Sequence, residues 1–263
     1  MRTIQVSADD FGLCREIDEG ILELCDRGVV TRTSVLANAE RLESTAPELG
    51  RRGDLEIGVH LNLTDGHALR PASEIRSLVD STGTFSGGRH YGLIARLSTG
   101  AIRAEEVRRE WTAQIERALS LGLRISHLNA HGHLHLHPAL HGVVLDLVED
   151  LGIPALRLVV QGDGVRGAML GLLSAQLLAD ARRRGLHIDH PDRVLGLRRP
   201  GRLTPSALAR MLERAASGTT EIIVHPSRGA NPFHRRWGYD GDAERTALLG
   251  IASRVAPLRA PSA

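Results

Sequence analysis

The sequence predicts an α/β protein whose parallel strands form a (β/α) barrel-like sheet. Three observations carry this. Short β-like runs alternate with amphipathic helical ones through most of the chain, the signature of a parallel sheet, closed as a barrel or doubly wound. Acidic residues and imidazoles sit where the strand-like runs end, which in a barrel is one shared face. The length, 263 residues, suits one barrel domain spanning 1–263.

The elements follow in order. "TIQVSA" (3–8) reads as a strand, and "CREIDEGILELCDRG" (14–28) as a helix with Ile17, Ile21 and Leu24 on one face, stopped by Gly28. "RTSVLAN" (32–38) and "LEIGVHLNL" (55–63) are the next strands. The stretch 66–100 is Gly-rich and only loosely periodic, so it is expected to be an inserted loop region over one face, a lid or a packing insertion. A helix (104–122), a strand running into the histidine segment (124–129) and a helix (139–152) come next. They are followed by "ALRLVV" (155–160) as a strand, helices at 174–185 and 204–217, and a last strand, "TEIIVHPS" (220–227).

Composition excludes several chemistries. All 33 basic residues are Arg, so no Schiff-base lysine, pyridoxal-phosphate anchor or phosphate-loop lysine is present. The formal charge of +2 gives no case for a nucleic-acid partner, and no apolar run reaches the ~20 residues of a membrane span. The opening "MRTIQVSADDFG" reads directly into a strand without a signal segment. Nothing in the spacing of Cys14 and Cys25 suggests a disulfide or a metal pair, so a reduced, cytoplasmic protein is expected.

Six of the 13 histidines fall at His127, His131, His133, His135, His137 and His141. On a continuing strand His131 and His133 would share a face and could reach one cation. With a carboxylate they would resemble a catalytic zinc site with an open position for water. The other three from His135 onward are expected to support that site, face substrate or be incidental. Asp9 and Asp10 close the first strand, His60 and Asn62 another, and His225 the last. On a regular strand adjacent carboxylates point apart, so one of the aspartates would hold metal while the other faces substrate. A metal lowers the pKa of bound water to ~7, a carboxylate can take its proton and a histidine can protonate a departing amine.

The chain resembles the YdjC-like carbohydrate deacetylases, the ChbG/HpnK family. The segments that carry the resemblance are "SADDFGLCREIDEGI" (7–21), "IGVHLNLTDG" (57–66), "SHLNAHGHLHLHP" (126–138) and "TEIIVHPS" (220–227), in the family's order over nearly the whole chain. "LVDSTGTF" (78–85) and "GLHIDHPDRVLGL" (185–197) look closest to the hopanoid-biosynthesis-associated HpnK branch. The resemblance implies a distorted barrel of the polysaccharide-deacetylase type that removes the acetyl group from an N-acetylated amino sugar, on a glycolipid or an oligosaccharide. It implies a single divalent ion, zinc or magnesium first, with manganese, cobalt or nickel as alternatives, held by Asp10, His60 and His131. Asp9 would be the general base and His225 the acid, with Asn62, His133 and Arg157 as substrate-binding residues. This moves His133 from ligand to pocket and raises His60 to ligand. A homodimer is also implied.

Two segments depart from the family pattern. Asn129 stands where many members have Asp, and "QGDGVRG" (161–167) replaces a loop that usually contains Pro and Glu. For a lipid-linked substrate, "MLGLLSAQLLADARRRG" (169–185) would offer a peripheral membrane contact, although a core-facing helix with a basic end fits as well. Competing functions are another metal-dependent barrel hydrolase, such as a phosphoesterase or amidohydrolase, a sugar isomerase, and a non-catalytic metal-binding protein. The last has no need of Asp9 or His225.

Overall fold

The computed structural model describes residues 2–86, 90–153, 155–215 and 217–255. Strands β1 (Arg2–Phe11), β2 (Arg32–Val35), β3 (Glu56–Leu61), β4 (Ile125–Ala130), β5 (Ala155–Leu156), β6 (Arg193–Leu195) and β7 (Gly218–Val224) form one sheet. Its order is β5-β4-β3-β2-β1-β7-β6, and all pairs are parallel. Parallel bridges Ala155↔Asp189 and Gly162↔Val194 join chain beside the two ends of that order, so the sheet curls toward closure.

Helices alternate with the strands: α1 (Arg15–Asp26), α2 (Leu42–Gly50), α3 (His90–Ser98), α4 (Ala104–Ser120), α5 (His141–Leu151), α6 (Gly164–Arg183) and α7 (Pro205–Arg214). After β7 come α8 (Pro232–Trp237), α9 (Gly241–Leu249) and α10 (Ala252–Val255). Both faces of the sheet are covered, so β1 buries Ile4, Val6 and Ala8 without the wet side of an antiparallel sheet. Helix α1 turns Ile17, Ile21 and Leu24 inward, and α4 does the same with Val107, Trp111, Ile115 and Ala118. These side chains belong to one continuous apolar cluster.

Three sequence expectations change, and one strand, β6, was not anticipated. The stretch 66–100 contains α3, and its Ile75, Leu78, Phe85 and Leu97 join the core. Buried Glu110 fastens it by accepting from the Leu69 and Arg70 N–H groups, while residues 87–89 lie outside the described residues. Helix α6 starts ten residues earlier than periodicity indicated, because its glycines look like loop. Gly167 is instead a contact requirement: a Cβ there would lie 2.5 Å from Gly162 C. Strand β6 is too short to show a period. Finally, the histidine segment leaves the strand at Ala130 and turns through Gly132 (φ 64°) and His133 (φ 62°) into 3₁₀ geometry. The alternation that would have paired His131 with His133 therefore does not exist.

Candidate metal centre

The C-terminal strand ends gather the ionisable residues. Between Ala8↔Thr33 and Phe11↔Val35 the register of β1 on β2 slips by one residue, a bulge that contains Asp9 and Asp10. Asp10 adopts φ 71°, a left-handed conformation that Asp tolerates better than most residues. The bulge explains how neighbouring carboxylates serve different partners on the same rim.

Asp10 Oδ1 lies 3.2 Å from His131 Nδ1 and 3.4 Å from His60 Nε2, and those two nitrogens are 3.3 Å apart. Ligands at ~2.1 Å around a tetrahedral ion are separated by about 3.4 Å, so this triangle has the size of one coordination face. Asp10 Oδ2 is buried without a hydrogen-bond partner, an atom that a cation would satisfy. Asp10, His60 and His131 therefore fit a divalent ion. Burial pushes the Asp10 carboxyl up, but hydrogen bonding to His131 and the surrounding imidazoles outweigh it and hold the group at about 2. Burial depresses His60, which keeps its ring neutral and available as a ligand.

Asp9 is anchored beside that triangle by a buried network. Arg157 Nη1 donates to Asp9 Oδ2 at 2.6 Å and Nη2 to Oδ1 at 2.9 Å. Ser34 Oγ donates to Asp9 Oδ1 at 2.8 Å, and Arg157 Nε donates to Glu221 Oε1 at 2.9 Å. Burial would raise Asp9, yet the Arg157 charge and fork hold it well below the usual carboxylate range. Arg157 follows β5 whereas Glu221 lies on β7, so the pair spans the interior of the curled sheet.

Asn129 links the two halves. With its amide oxygen toward Arg157 it accepts from both guanidinium nitrogens at 3.0 Å and donates to His60 Nδ1 at 2.6 Å. In the opposite orientation its oxygen accepts from His60 Nδ1–H. Only the second leaves His60 Nε2 unprotonated for a metal, so the amide orientation and the His60 tautomer are one coupled choice.

A family model described as "YdjC-like protein" matches residues 3–254. The chain belongs to the YdjC-like family. A Brevibacillus brevis relative described as a carbohydrate deacetylase is 35% identical over 223 residues, covering 84% of this chain and 80% of that one. A human relative with the same description is 34% identical, covering 86% and 75%. Among solved structures, an Enterococcus faecalis V583 protein described as a candidate for cellobiose-phosphate cleavage superposes with a TM-score of 0.77 at 25% identity. That match covers 98% of this chain and 93% of the other.

The remaining site residues of this YdjC-like chain divide clearly. His225, at the end of β7, is buried, and burial lowers it to about 4 despite Asp10 and Asp9 nearby. Asn62 and Arg157, expected to touch substrate, are 1% and 2% exposed and fully engaged by the protein. Asn62 shapes the 62–65 turn, donating to Asp65 O at 2.7 Å and accepting from Thr64 N–H at 2.9 Å. Arg157 is the partner of Asp9. His133 is half-buried with Nδ1 unpartnered, and its ring faces His135 rather than the ligand triangle. Most of the histidine cluster is structural: His135 Nε2 pairs with Arg157 O at 2.7 Å, and His141 Nδ1 with Asp180 at 2.6 Å. His137 caps the following turn by accepting from Ala139 N–H.

The opposite wall was barely legible from the residues alone. Trp237 lies 5.0 Å from the His131 ring, Tyr239 lies 4.9 Å from His225, and Arg236 pairs with Asp65. The scarcity of aromatics was the available signal: two of only three residues at 237–239 are aromatic in a chain with 3% overall.

Proposed function

We propose that this protein is a metal-dependent deacetylase of N-acetylated amino sugars, with Asp10, His60 and His131 holding one divalent ion. The observation that supports it best is the 3.2–3.4 Å triangle of ligand atoms beside a second, separately anchored carboxylate. Zinc suits two imidazoles and one carboxylate; magnesium, manganese, cobalt and nickel are the alternatives. When bound, the ion would polarise the amide carbonyl and acidify water.

The chain's own residues do the rest. Asp9 is the base, and Arg157 and Ser34 fix the direction in which its carboxylate can take a proton. Arg157 also keeps Asp9 ionised, which guarantees an unprotonated base at neutral pH at the cost of basicity. His225 is held neutral by burial, so the proton it delivers to the departing amine has to reach it during turnover, passed on from the Asp9 carboxyl after that group has taken it from water. Trp237 and Tyr239 give the sugar an apolar face to pack on and keep bulk water from the reacting carbonyl. His133 remains a pocket residue. An N-acetylglucosaminyl lipid of the HpnK branch or an oligosaccharide is the substrate, acted on in the cytoplasm by a homodimer whose subunits each carry one 1–263 domain.

The test is acetate release from N-acetylglucosamine, chitobiose and an N-acetylglucosaminyl hopanoid, with bound metal quantified in parallel. Asp9→Asn is expected to keep its metal and lose ~10²–10⁴-fold in rate. Asp10→Asn is expected to lose the metal as well. Metal in both wild type and Asp9→Asn with no acetate from any substrate would sink the deacetylase assignment. Undiminished turnover in Asp9→Asn would remove the base.

A further inference from the structure

A cavity of about 330 Å³ lies away from the ligand triangle, on the same strand-end rim. It is bounded by the start of α6, the end of β6, the loop 196–204 and α7. Five guanidinium side chains line it, Arg198, Arg199, Arg202, Arg210 and Arg214, against one carboxylate, Asp163. The floor is apolar, formed by Leu195, Leu203, Ala207 and Met211.

Some arginines elsewhere on this surface are matched to acids, as in Arg70–Glu74, Arg108–Asp150 and Arg184–Asp146, and others stand singly; what sets this cavity apart is five of them lining one concavity. None of the five has an ion pair or side-chain hydrogen bond among the described residues, and grouping them costs mutual repulsion that a fold avoids unless an anion offsets it. Asp163 offsets at most one of these five charges and forms an ion pair with none of them. It precedes α6 without capping it, and its Oδ1 accepts instead from Leu197 N–H at 2.9 Å. The first N–H groups of a 20-residue helix therefore open toward the same space with their positive end uncapped by a side chain.

We propose that this cavity binds a phosphate ester, one with two phosphate groups in preference to one, at a site distinct from the metal centre. Guanidinium forks match phosphate oxygens in pairs, and a single carboxylate would leave most of the charge uncompensated. The volume is that of a small-molecule site, and the apolar floor accommodates the organic part of the ester. The two sites share a wall. Gly201 packs so closely on Tyr239 that a Cβ would sit 2.2 Å from the ring, Asp240 N–H donates to Gly201 O at 2.7 Å, and Tyr239 lies against His225. The site stands whether or not the deacetylase assignment holds.

The phosphate could belong to a free metabolite or to an anionic lipid headgroup. On α6, Val165, Met169 and Leu172 are 90%, 54% and 72% exposed at helical spacing, beginning at the cavity mouth. The experiment therefore has two arms, both on full-length protein dialysed against a chelator so that phosphate cannot bind through metal. Calorimetric titration uses fructose 1,6-bisphosphate, glycerol 3-phosphate and unphosphorylated fructose at fixed low salt. Co-sedimentation uses phosphatidylcholine vesicles with and without phosphatidylglycerol.

The bisphosphate is expected to bind with one-to-one stoichiometry, more tightly than the monophosphate, and fructose not at all. Arg198→Ala/Arg210→Ala, which truncates exposed side chains on two different elements, is expected to weaken binding at least about tenfold. Arg51→Ala/Arg124→Ala removes the same charge elsewhere and is expected to stay within about twofold. Sedimentation that requires phosphatidylglycerol and is lost in the first variant identifies the headgroup as the source; bisphosphate binding without sedimentation identifies a free ester. Absence of both, or equal loss in the two variants, overturns the site.

Discussion

Replacing Arg157 with Met separates the two roles that this residue could play. Its guanidinium is 2% exposed and serves Asp9, Glu221 and Ser7 together. Met keeps much of the volume but leaves two buried carboxylates without their cation. Breaking a buried ion pair from one side costs ~3–5 kcal/mol, because the remaining charge stays desolvated. At ~2–4 °C per kcal/mol for a chain of this size, the melting temperature should fall by roughly 6–20 °C. The Asp9 carboxyl should rise toward and beyond its ordinary range, since burial, which raises it, would no longer be opposed by Arg157. Arg157→Lys should recover only part of the loss, because an ammonium cannot supply the fork that spans Asp9 and Glu221. Arg157→Met/Glu221→Gln should recover more than Arg157→Met alone. The assays are urea unfolding followed by circular dichroism, and acetate release as a function of pH. If Arg157→Met unfolds within about 1 kcal/mol of wild type and changes only KM, the buried-anchor role is wrong and Arg157 is a substrate contact after all.

Three further outcomes are expected. Acid should destabilise the metal-free protein from about pH 6.5 downward, because the buried imidazoles His135 and His225 are lowered to about 3 and about 4 and the unfolded chain therefore takes up protons first. The stability is present above the unfolded histidine value and falls by up to ~1.4 kcal/mol per pH unit for each such group; urea midpoints that do not move between pH 7 and pH 5 would contradict this. Asn129→Asp should tighten metal binding by about tenfold in a competition titration with a chromophoric chelator, since a carboxylate accepts from His60 Nδ1–H and from Arg157 at once; weaker binding would show that the amide is not the constraint. Gly58→Ala should cost ~1–3 kcal/mol in urea unfolding, because its Cβ would meet the His127 ring at 2.4 Å inside the core. A variant as stable as wild type would show that this ring can move aside.

The parallel α/β architecture and most of its early elements were legible in the sequence because both depend on short-range pattern. A period of two or 3.6 in apolar residues specifies a strand or a helix locally, and β1, α1, β3, α4 and β7 appear where that pattern is strong. Ionisable residues at strand ends reached one rim because parallel strands leave no other arrangement. Asp10, His60 and His131 lie together as one group that could hold an ion, whereas spacing alone favoured His133. What spacing missed was the turn at Gly132 and His133, which ends the alternation on which that pairing depended.

Only the tertiary structure decided which polar residues face inward. Arg157 lies between Asp9 and Glu221 because β5 and β7 come together across a curled sheet, and no local pattern encodes a contact between residues so far apart in sequence. Asn62, expected to bind substrate from a strand end, has its amide taken up by the 62–65 turn. Trp237 and Tyr239 reach the site from a segment beyond the last strand, and the arginines of the 196–204 loop and α7 line a cavity only where the start of α6 and the end of β6 close it. The chain's own pattern determines its elements and the type of chemistry its side chains allow. Long-range closure of the sheet determines which carboxylate is anchored and which imidazole can ligate, because burial and partner distance exist only once distant strands meet.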